Sequence, residues 1–465
     1  MKKTQLLQSM LLATLSVVGL LIVLHSTEVS AAPAPVTEER ANESATPLAA
    51  QDVFSTAYVV VRFGDHDTIV RPVTFTQPIS AYHALELSGL AFTTADFGYG
   101  LFLCSIEDVG DSSGACDNGD RFWGAYEWDG AAWMARMVGI GDAMIEQDGH
   151  VEGFSWSDPG WSMVDPPPAP PLVAASRALG WLRTRQQADG GFGTPGSTAD
   201  VLIALGANRV SGSIWRAPNG PTVLSNMLGR SRTLANSGPA GAGKLAVALT
   251  AHDTCWPHAA LQPSDYYSPT TGAFHADAGP HALGMLGTAA LSETVPPSAT
   301  FHLLALQQAN GGWEWGVGWG ADTNSTALAV QALVAAGEPL TSTAIISALN
   351  YLDQAQNDDG GFPYDPQSPW GTDSDTNSTA YVVQALLAAG QDPLTGTWAI
   401  SDTNPIEFLL SMQLEDGSFE WQAGFGSNQV ATQQAIPALL YRPLPVRRTA
   451  MDVCRPAYLP LVKKG

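Results

Sequence analysis

Short apolar runs separated by turn residues fill residues 52–160, and this pattern predicts a module rich in β-strands. The predicted strands cover 58–63, 69–75, 101–106, 122–128, 132–138 and 151–156. Asp129-Gly130, between two of these runs, is a tight hairpin signal. Ser80 precedes an apolar pattern with helical spacing and predicts the cap of one short helix. The first module is therefore expected to be an α+β domain.

Helical runs alternate with a repeated turn phrase over residues 172–441. Copies of the phrase occupy 187–192, 308–313, 356–362 and 413–419. Each copy contains an Asp or Asn followed by Gly, and ends in an aromatic residue. Glycine stops a helix because it adopts the left-handed conformation that other residues avoid. The aromatic residues Trp313, Phe362 and Phe419 are predicted to be core.

Alanine-rich helices follow the turns, and 322–333 and 375–386 are nearly copies of each other. Start and stop signals indicate about twelve helices in this module. Six pairs of helices would close into a barrel, whereas an open solenoid would need polar caps at its ends. The predicted fold is a C-terminal (α/α)6 toroid preceded by a small β-rich α+β domain. The loops before the inner helices would then share one rim.

The remaining segments are interpreted from composition. Residues 1–31 combine two lysines, an apolar run and small residues, which predicts a cleaved export signal and an extracellular or surface location. Residues 32–51 read as a flexible leader, 161–171 as a Pro-rich linker and 442–465 as a tail. The formal net charge of −23 argues against nucleic-acid partners because phosphate backbones are repelled.

The chain has four cysteines, and an even number in an exported protein predicts disulfides. Cys104 and Cys116 lie in the first module and are expected to close a local loop. Cys255 with Cys454 would then tie the chain end to the helices. Three pairings are open on the sequence alone.

The Gln-x-x-(Asp/Asn)-Gly-Gly-aromatic phrases resemble the prenyltransferase and squalene-oxidase repeats of the terpenoid-cyclase and protein-prenyltransferase toroid superfamily. That superfamily includes the vitamin B12 carriers transcobalamin and intrinsic factor, and residues 435–440 look like the end of their toroid. Residues 122–126, Trp133 and 148–156 are similar to the small β domain of those carriers. The domain order is reversed here. The resemblance implies a corrinoid such as cobalamin as a bound ligand.

Aromatic and polar residues in the loops before the inner helices are the predicted ligand-binding set, because flat rings and amides suit a large planar ligand. The set comprises Trp315, Trp319, Asp322, Asn324, Trp370, Asp375, Asn377, Trp421, Asn428 and Gln429. The alternative is that the polar residues are helix caps. No complete catalytic set is found, so the sequence favours a monomeric binding protein for a small molecule over an enzyme. A surface interaction module without a small ligand is a further alternative.

A terpene cyclase or prenyltransferase-like enzyme is the main alternative function. Class II cyclases protonate an alkene with one member of an aspartate cluster, and Asp373 and Asp375 are the nearest match. The fourth-position acid is missing, and the sequence before Asp375 is echoed at Asp322, so helix capping is favoured.

Prenyltransferases hold zinc with Asp-x-Cys and a later His, which Asp253, Cys255 and His281 resemble. A disulfide at Cys255 is favoured over zinc in an oxidising compartment. The stretch from Gly238 to Lys244 mimics a phosphate loop, but it lacks the following Ser or Thr and is interpreted as the start of a helix.

Overall fold

The computed structural model of the chain describes residues 54–64, 67–98, 100–252, 254–257, 260–369, 371–400 and 403–446. They all belong to one compact unit that spans Asp52–Gly465. The predicted export signal and leader lie outside the described residues. Among the helices that are described, none is both long and apolar enough to cross a bilayer.

The β-rich module is an α+β domain built on a five-stranded sheet. Its elements are β1 (Ser55–Arg62), β2 (Thr68–Phe75), β3 (Ile79–Ser80), α1 (Ala81–Ser88), β4 (Phe92–Asp96), β5 (Leu101–Ile106), β6 (Val109–Gly110), β7 (Trp123–Trp128), β8 (Trp133–Ala135), β9 (Met144–Ile145) and β10 (Val151–Trp156). The central sheet has the order β2-β1-β10-β7-β8. Strand β1 is antiparallel to β2 and parallel to β10. Helix α1 is capped by the Ser80 hydroxyl, which accepts the His83 N–H.

Strand β1 is buried on both faces. Val59 and Val61 pack with Phe154 in the core of the β-rich module. Val60, between them, packs into the core of the helices instead. Successive side chains of a strand point to opposite faces, so this strand contributes to two cores. Burial on both faces also explains why its sequence is a run of valines instead of an alternation.

The second module is helical. Its elements are α2 (Ala169–Arg185), α3 (Pro195–Ala207), α4 (Val223–Ala235), α5 (Pro239–Thr250), a 3₁₀ turn (Pro263–Tyr266), α6 (Ala278–Ala290), α7 (Pro297–Ala305), α8 (Thr323–Ala335), α9 (Thr343–Ala355), α10 (Thr376–Ala388), a 3₁₀ turn (Gly396–Trp398), α11 (Pro405–Ser411), β11 (Phe419–Glu420), β12 (Ser427–Asn428) and α12 (Gln429–Leu439).

Six helices form a closed inner ring. They pack side by side in the order α3, α5, α6, α8, α10 and α12, and α12 packs against α3 to complete the circle. The outer positions are occupied by α2, α4, α7, α9 and α11. The sixth outer position holds the 3₁₀ turn Pro263–Tyr266, which packs on α5 and α6. Prolines at 257, 263 and 269 prevent a longer helix there, so this stretch does not contain the helix that twelve full helices would require.

Small residues let the inner helices approach closely. A Cβ atom placed on Gly243 of α5 would lie 1.9 Å from the carbonyl oxygen of Leu283 in α6. Gly287 of α6 faces Gly243 in turn, and a Cβ atom placed on it would lie 2.4 Å from the Gly243 Cα. Only glycine fits at such a contact, so α5 and α6 pack backbone against backbone.

The β-rich module covers the carboxyl end of the ring. The Asn208 side chain, which follows α3, accepts from Val70 N at 2.8 Å and donates to Val70 O at 3.0 Å. Residues 441–446, here called the C-terminal strap, cross the same end. Gln331 of α8 accepts from Leu444 N at 2.8 Å, and Gln384 of α10 donates to Arg442 O at 2.9 Å. This end of the ring is therefore closed.

A disulfide joins Cys104 and Cys116 in the β-rich module. Cys255 is disulfide-bonded as well. Its expected partner, Cys454, lies outside the described residues.

Candidate functional site

The amino ends of the inner helices form the open rim. At each turn phrase the final aromatic residue is buried, and its N–H donates to a side chain of the following inner helix. Trp313 N donates to Thr326 Oγ1 at 3.0 Å, and Phe362 N donates to Thr379 Oγ1 at 2.9 Å. Phe419 repeats the pattern with Thr432 at 2.9 Å. The phrases thus dock each turn onto its helix, and the predicted core aromatics are fully buried.

Asp322 and Asp375 are the N-caps of α8 and α10. One oxygen of Asp375 accepts Ser378 N at 2.8 Å and the other accepts Ser378 Oγ at 2.7 Å. Asp322 makes the same two bonds to Ser325, both at 2.7 Å. Both carboxyl groups are buried, and burial raises the pKa of each to about 6 although the hydrogen bonds oppose it. Each is therefore a helix cap that also holds a proton near pH 6.

The predicted pair of catalytic acids does not form a cluster. Asp373 is exposed, whereas Asp375 is 3% exposed and capped by its own helix. The two carboxyl groups therefore lie in different environments. Of the two acids named in the enzyme alternative, only Asp375 is buried.

The rim loops carry exposed aromatic residues, and two of these loops are held by the same kind of hydrogen bonds. Glu314 Oε2 accepts Gly318 N at 2.8 Å and Gly320 N at 3.0 Å, and Glu420 accepts two glycine N–H groups of its own loop. Trp319 is 65% exposed and Trp421 is 39% exposed. Trp315 is half-buried against the backbone of α6. Trp370 lies outside the described residues.

The predicted amides divide between caps and the ring interior. Asn428 caps α12, and its Oδ1 accepts Ala431 N at 3.0 Å. Asn377 donates to Gln434 Oε1 at 2.6 Å, and Gln429 donates to Ser197 Oγ at 2.9 Å. The Oδ1 atom of Asn324 is buried and has no hydrogen-bond partner among the described residues.

A polar network lies inside the ring. Lys244 of α5 contacts both oxygens of Asp200 of α3, at 2.8 and 2.9 Å. Asp200 also accepts from Gln433 of α12 at 3.2 Å. Gln434, the next residue of α12, donates to the Tyr381 hydroxyl of α10 at 3.5 Å. Four of the six inner helices therefore contribute side chains, in two hydrogen-bonded groups that adjoin at Gln433 and Gln434.

Lys244, Asp200 and Tyr381 of this network interact electrostatically. Burial lowers the pKa of Lys244, but Asp200 and Tyr381 outweigh it and the net pKa is raised. The pKa of Tyr381 is raised, chiefly by burial, and Lys244 opposes the rise. Helices α5 and α10 stand opposite each other in the ring order, so their side chains interact across the interior.

Sequence reasoning assigned no site role to Asp200, Lys244, Tyr381, Gln433 or Gln434. A signal was present, because several of them occupy one repeat position. Asp200, Lys244, Leu283, Leu328, Tyr381 and Gln434 each stand six residues after the N-cap of their inner helix. A polar residue at that position is conspicuous only once the ring order is known. The helix predicted for Lys244 is present, as α5.

The zinc alternative is wrong. Cys255 is disulfide-bonded and offers no thiolate. Both ring nitrogens of His281 are used: Nδ1 accepts Phe274 N at 3.0 Å, and Nε2 lies 2.9 Å from Ala299 O. Burial lowers the pKa of His281 to about 4. Asp253 lies outside the described residues, and no group of possible metal ligands occurs within the described part of the chain. His281 takes the docking role that a threonine has in other repeats.

Residues 270–436 match the family described as the squalene-hopene cyclase C-terminal domain. The matched segment includes inner helices α6, α8, α10 and α12. This match supports the terpenoid cyclase and prenyltransferase toroid superfamily for the helical ring. No curated protein sequence matches the chain.

Several solved structures resemble the chain at low identity. The apo structure of the type II terpene cyclase MstE from Scytonema is 15% identical, covers 59% of this chain and 98% of its own, and has a TM-score of 0.42. An ent-copalyl diphosphate synthase from Streptomyces platensis is 19% identical, with 53% and 49% covered and a TM-score of 0.36. A Candida albicans protein geranylgeranyltransferase-I is 17% identical, with 35% and 48% covered and a TM-score of 0.29.

The prediction of a non-catalytic cobalamin carrier is wrong. Residues 270–436 match the squalene-hopene cyclase C-terminal domain, so the enzyme alternative is better supported than the binding protein. The expectation that the protein is not an enzyme is wrong for the same reason.

Proposed function

We propose that the protein is an enzyme of the terpenoid-cyclase type, which acts on an isoprenoid substrate at the open rim of the helical ring. The observation that carries the proposal is that the segment matching the squalene-hopene cyclase domain contains Asp375, a buried carboxyl group with a pKa of about 6. At pH 6, where about half of such groups carry the proton, a carboxyl group with the ordinary pKa of 3.8 would be almost fully ionised.

Asp375 is the proposed acid. In its protonated form it would add the proton to a double bond of the substrate, leaving a carbocation that cyclises and then loses a proton. The partly exposed ring of Trp421 lies beside Asp375, and aromatic faces stabilise cations. Asp322 has the same cap geometry, but the interior-facing position of its helix is Leu328 where α10 has Tyr381. At this position α10 therefore carries a hydroxyl group and α8 an apolar side chain.

Two matched variants test the assignment. Asp375→Asn keeps a good N-cap but removes the acid, and Asp322→Asn makes the same change on a neighbouring helix. With acyclic isoprenoid alcohols and squalene as substrates and gas chromatography of the products, Asp375→Asn should lower turnover by at least about a hundredfold. Asp322→Asn should retain most of it. Absence of any cyclised product from the unaltered protein, or equal losses in both variants, would contradict the proposal.

The export signal and the likeness of the β-rich module to the B12-carrier domain remain predictions. If the chain is exported, the disulfides at Cys104–Cys116 and at Cys255 suit the oxidising compartment that it enters.

A further inference from the structure

The network inside the ring forms a floor below the open rim. Four of its members, Asp200, Lys244, Tyr381 and Gln434, stand six residues beyond their N-caps, which places them about 9 Å along the helix axis. One turn deeper the interior is filled, since Leu286, Gln331 and Gln384 are buried. The strap then closes the far end. The part of the interior between the rim and this buried layer is here called the funnel.

The floor remains reachable from the funnel. The side chain of Lys244 is 22% exposed and that of Asp200 is 11% exposed, although both lie inside the ring. Tyr381 and Gln434 are half-buried. Solvent, or a ligand of similar polarity, therefore has access to these atoms.

The floor has hydrogen-bonding capacity to spare. An ammonium group has three donors, and Lys244 directs its described bonds to the two oxygens of Asp200. The Tyr381 hydroxyl accepts from Gln434, but no acceptor for its own proton occurs among the described residues. A ligand atom between Lys244 and Tyr381 would meet donors from opposite helices.

The floor carries no excess positive charge. Lys244 is neutralised by Asp200 at 2.8 Å, and the rim above contains Glu314, Glu420 and the capping aspartates. A diphosphate binds where cations outnumber anions, and this funnel has the opposite balance. A hydroxyl or carbonyl oxygen fits the floor better than a phosphate.

We infer that the funnel floor formed by Lys244, Asp200, Tyr381 and Gln434 binds the uncharged oxygen-bearing head group of an isoprenoid, a hydroxyl or carbonyl. The inference rests on the proposed function for the isoprenoid chain, and it adds the substrate class. The head group enters first and hydrogen-bonds across the ring, while the apolar chain lies against the aromatic residues of the rim.

Binding without turnover tests this inference. The probes are geranylgeraniol, the same C20 chain with hydrogen in place of the hydroxyl, and geranylgeranyl diphosphate. Each is titrated into the full chain and its variants, all carrying Asp375→Asn so that the alcohol is not turned over, and binding is followed by tryptophan fluorescence or calorimetry. The alcohol should bind tightest, with about five- to tenfold weaker binding in Tyr381→Phe because one hydrogen bond is lost. The hydrocarbon should bind Tyr381→Phe and the unaltered protein equally.

Tyr266→Phe is the matched control, because it removes a hydroxyl that bonds Ala235 O at the outer 3₁₀ turn. Its affinity for the alcohol should be unchanged. A double variant, Asp200→Leu with Lys244→Met, leaves no unpaired charge and should also lose the preference for the alcohol. Equal affinities for alcohol and hydrocarbon, or tightest binding of the diphosphate, would overturn the inference. Because no turnover is measured, failure of catalysis by Asp375 leaves this outcome unaffected.

Discussion

At the scale of single residues, one side chain combines a structural role with the proposed chemistry. Asp375 caps a helix through Ser378, and burial in that role is what raises its pKa to about 6. Asp322 shows that the raised pKa belongs to the repeat and is not unique to one position. The helices of the two acids differ six residues after the cap, where α8 has Leu328 and α10 has Tyr381.

The buried acid makes folding stability depend on pH. The pKa of Asp375 is about 6 in the folded protein and 3.8 is its ordinary value, so the folded state binds the proton more tightly. The contribution of Asp375 to the free energy of unfolding is fully present below pH 3.8. It is lost as the pH rises through 6, by about 3 kcal/mol in total. Asp375→Asn should remove that loss. Urea unfolding at pH 4, 5, 6 and 7 measures the difference, and parallel curves for both proteins would contradict it.

The same titration predicts the pH profile of the proposed activity. A general acid works only while it is protonated, so turnover should be highest below pH 6 and fall about tenfold for each further pH unit above it. Initial rates between pH 4.5 and 8 test this expectation. A rate that rises from pH 6 to 8 would exclude Asp375 as the acid.

Variants of the Lys244–Asp200 ion pair inside the ring test the stability of the protein as well as binding. Lys244→Met leaves Asp200 buried without its partner, which should lower the free energy of unfolding by about 3–5 kcal/mol. The double variant Asp200→Leu with Lys244→Met should lie close to the unaltered protein, because apolar replacements of a buried pair are often neutral. Chemical denaturation of the three proteins gives the comparison, and similar losses in both variants would argue against a buried pair.

At the scale of elements, the inner ring depends on close helix contacts. Helices α5 and α6 meet at Gly243, where even a methyl group would overlap the Leu283 carbonyl. Helix α4, an outer helix, contains Gly229, and a Cβ atom added there would have nothing within 4 Å. The two glycines therefore have different reasons to be present.

Replacement of these glycines should have opposite effects. Gly243→Ala should destabilise the protein by about 3 kcal/mol or more through overpacking. Gly229→Ala should stabilise it by about 0.5–1 kcal/mol, because alanine lowers the backbone entropy of the unfolded chain at an unhindered helical site. Thermal and urea unfolding of both variants measure the signs. Stabilisation by Gly243→Ala would mean that α5 and α6 are further apart than described.

At the scale of the whole molecule, the β-rich module and the ring share one structure. Asn208 bonds both backbone groups of Val70, and Arg442 of the strap lies 2.6 Å from Asp67 beside them. The module thus lies across one end of the ring, and among the described residues the rim lies at the other end. The proposed substrate site and the domain attachment therefore lie at opposite ends.

Loss of the Asn208 contacts should weaken this attachment. Asn208→Ala leaves the N–H and C=O of Val70 buried without these partners, and should lower the free energy of unfolding by about 2–4 kcal/mol. Asn236→Ala is the control, since Asn236 ends α4 at an exposed position and its side chain accepts Leu261 N. It should cost less than about 1 kcal/mol. Equal effects in calorimetry or denaturation would place the attachment elsewhere.

The sequence by itself determined the elements and their repetition. The turn phrases mark helix ends through glycine, and Asp322 and Asp375 read as caps because an Asp before Thr-Asn-Ser is a local signal. The repeat also predicts that Trp313 and Phe362, whose N–H groups bond Thr326 and Thr379, belong to the core. The 3₁₀ turn in place of one outer helix does not follow from the repeat, because the prolines around it override the expected pairing of helices.

Only the tertiary structure decided which side chains face each other across the ring. Asp200 and Lys244 are 44 residues apart, and Tyr381 lies on the opposite helix. Their meeting depends on ring closure, helix rotation and the distance between helices, none of which is encoded by local spacing. Chemistry between distant helices is a property of packing, whereas caps and turns are properties of a few adjacent residues.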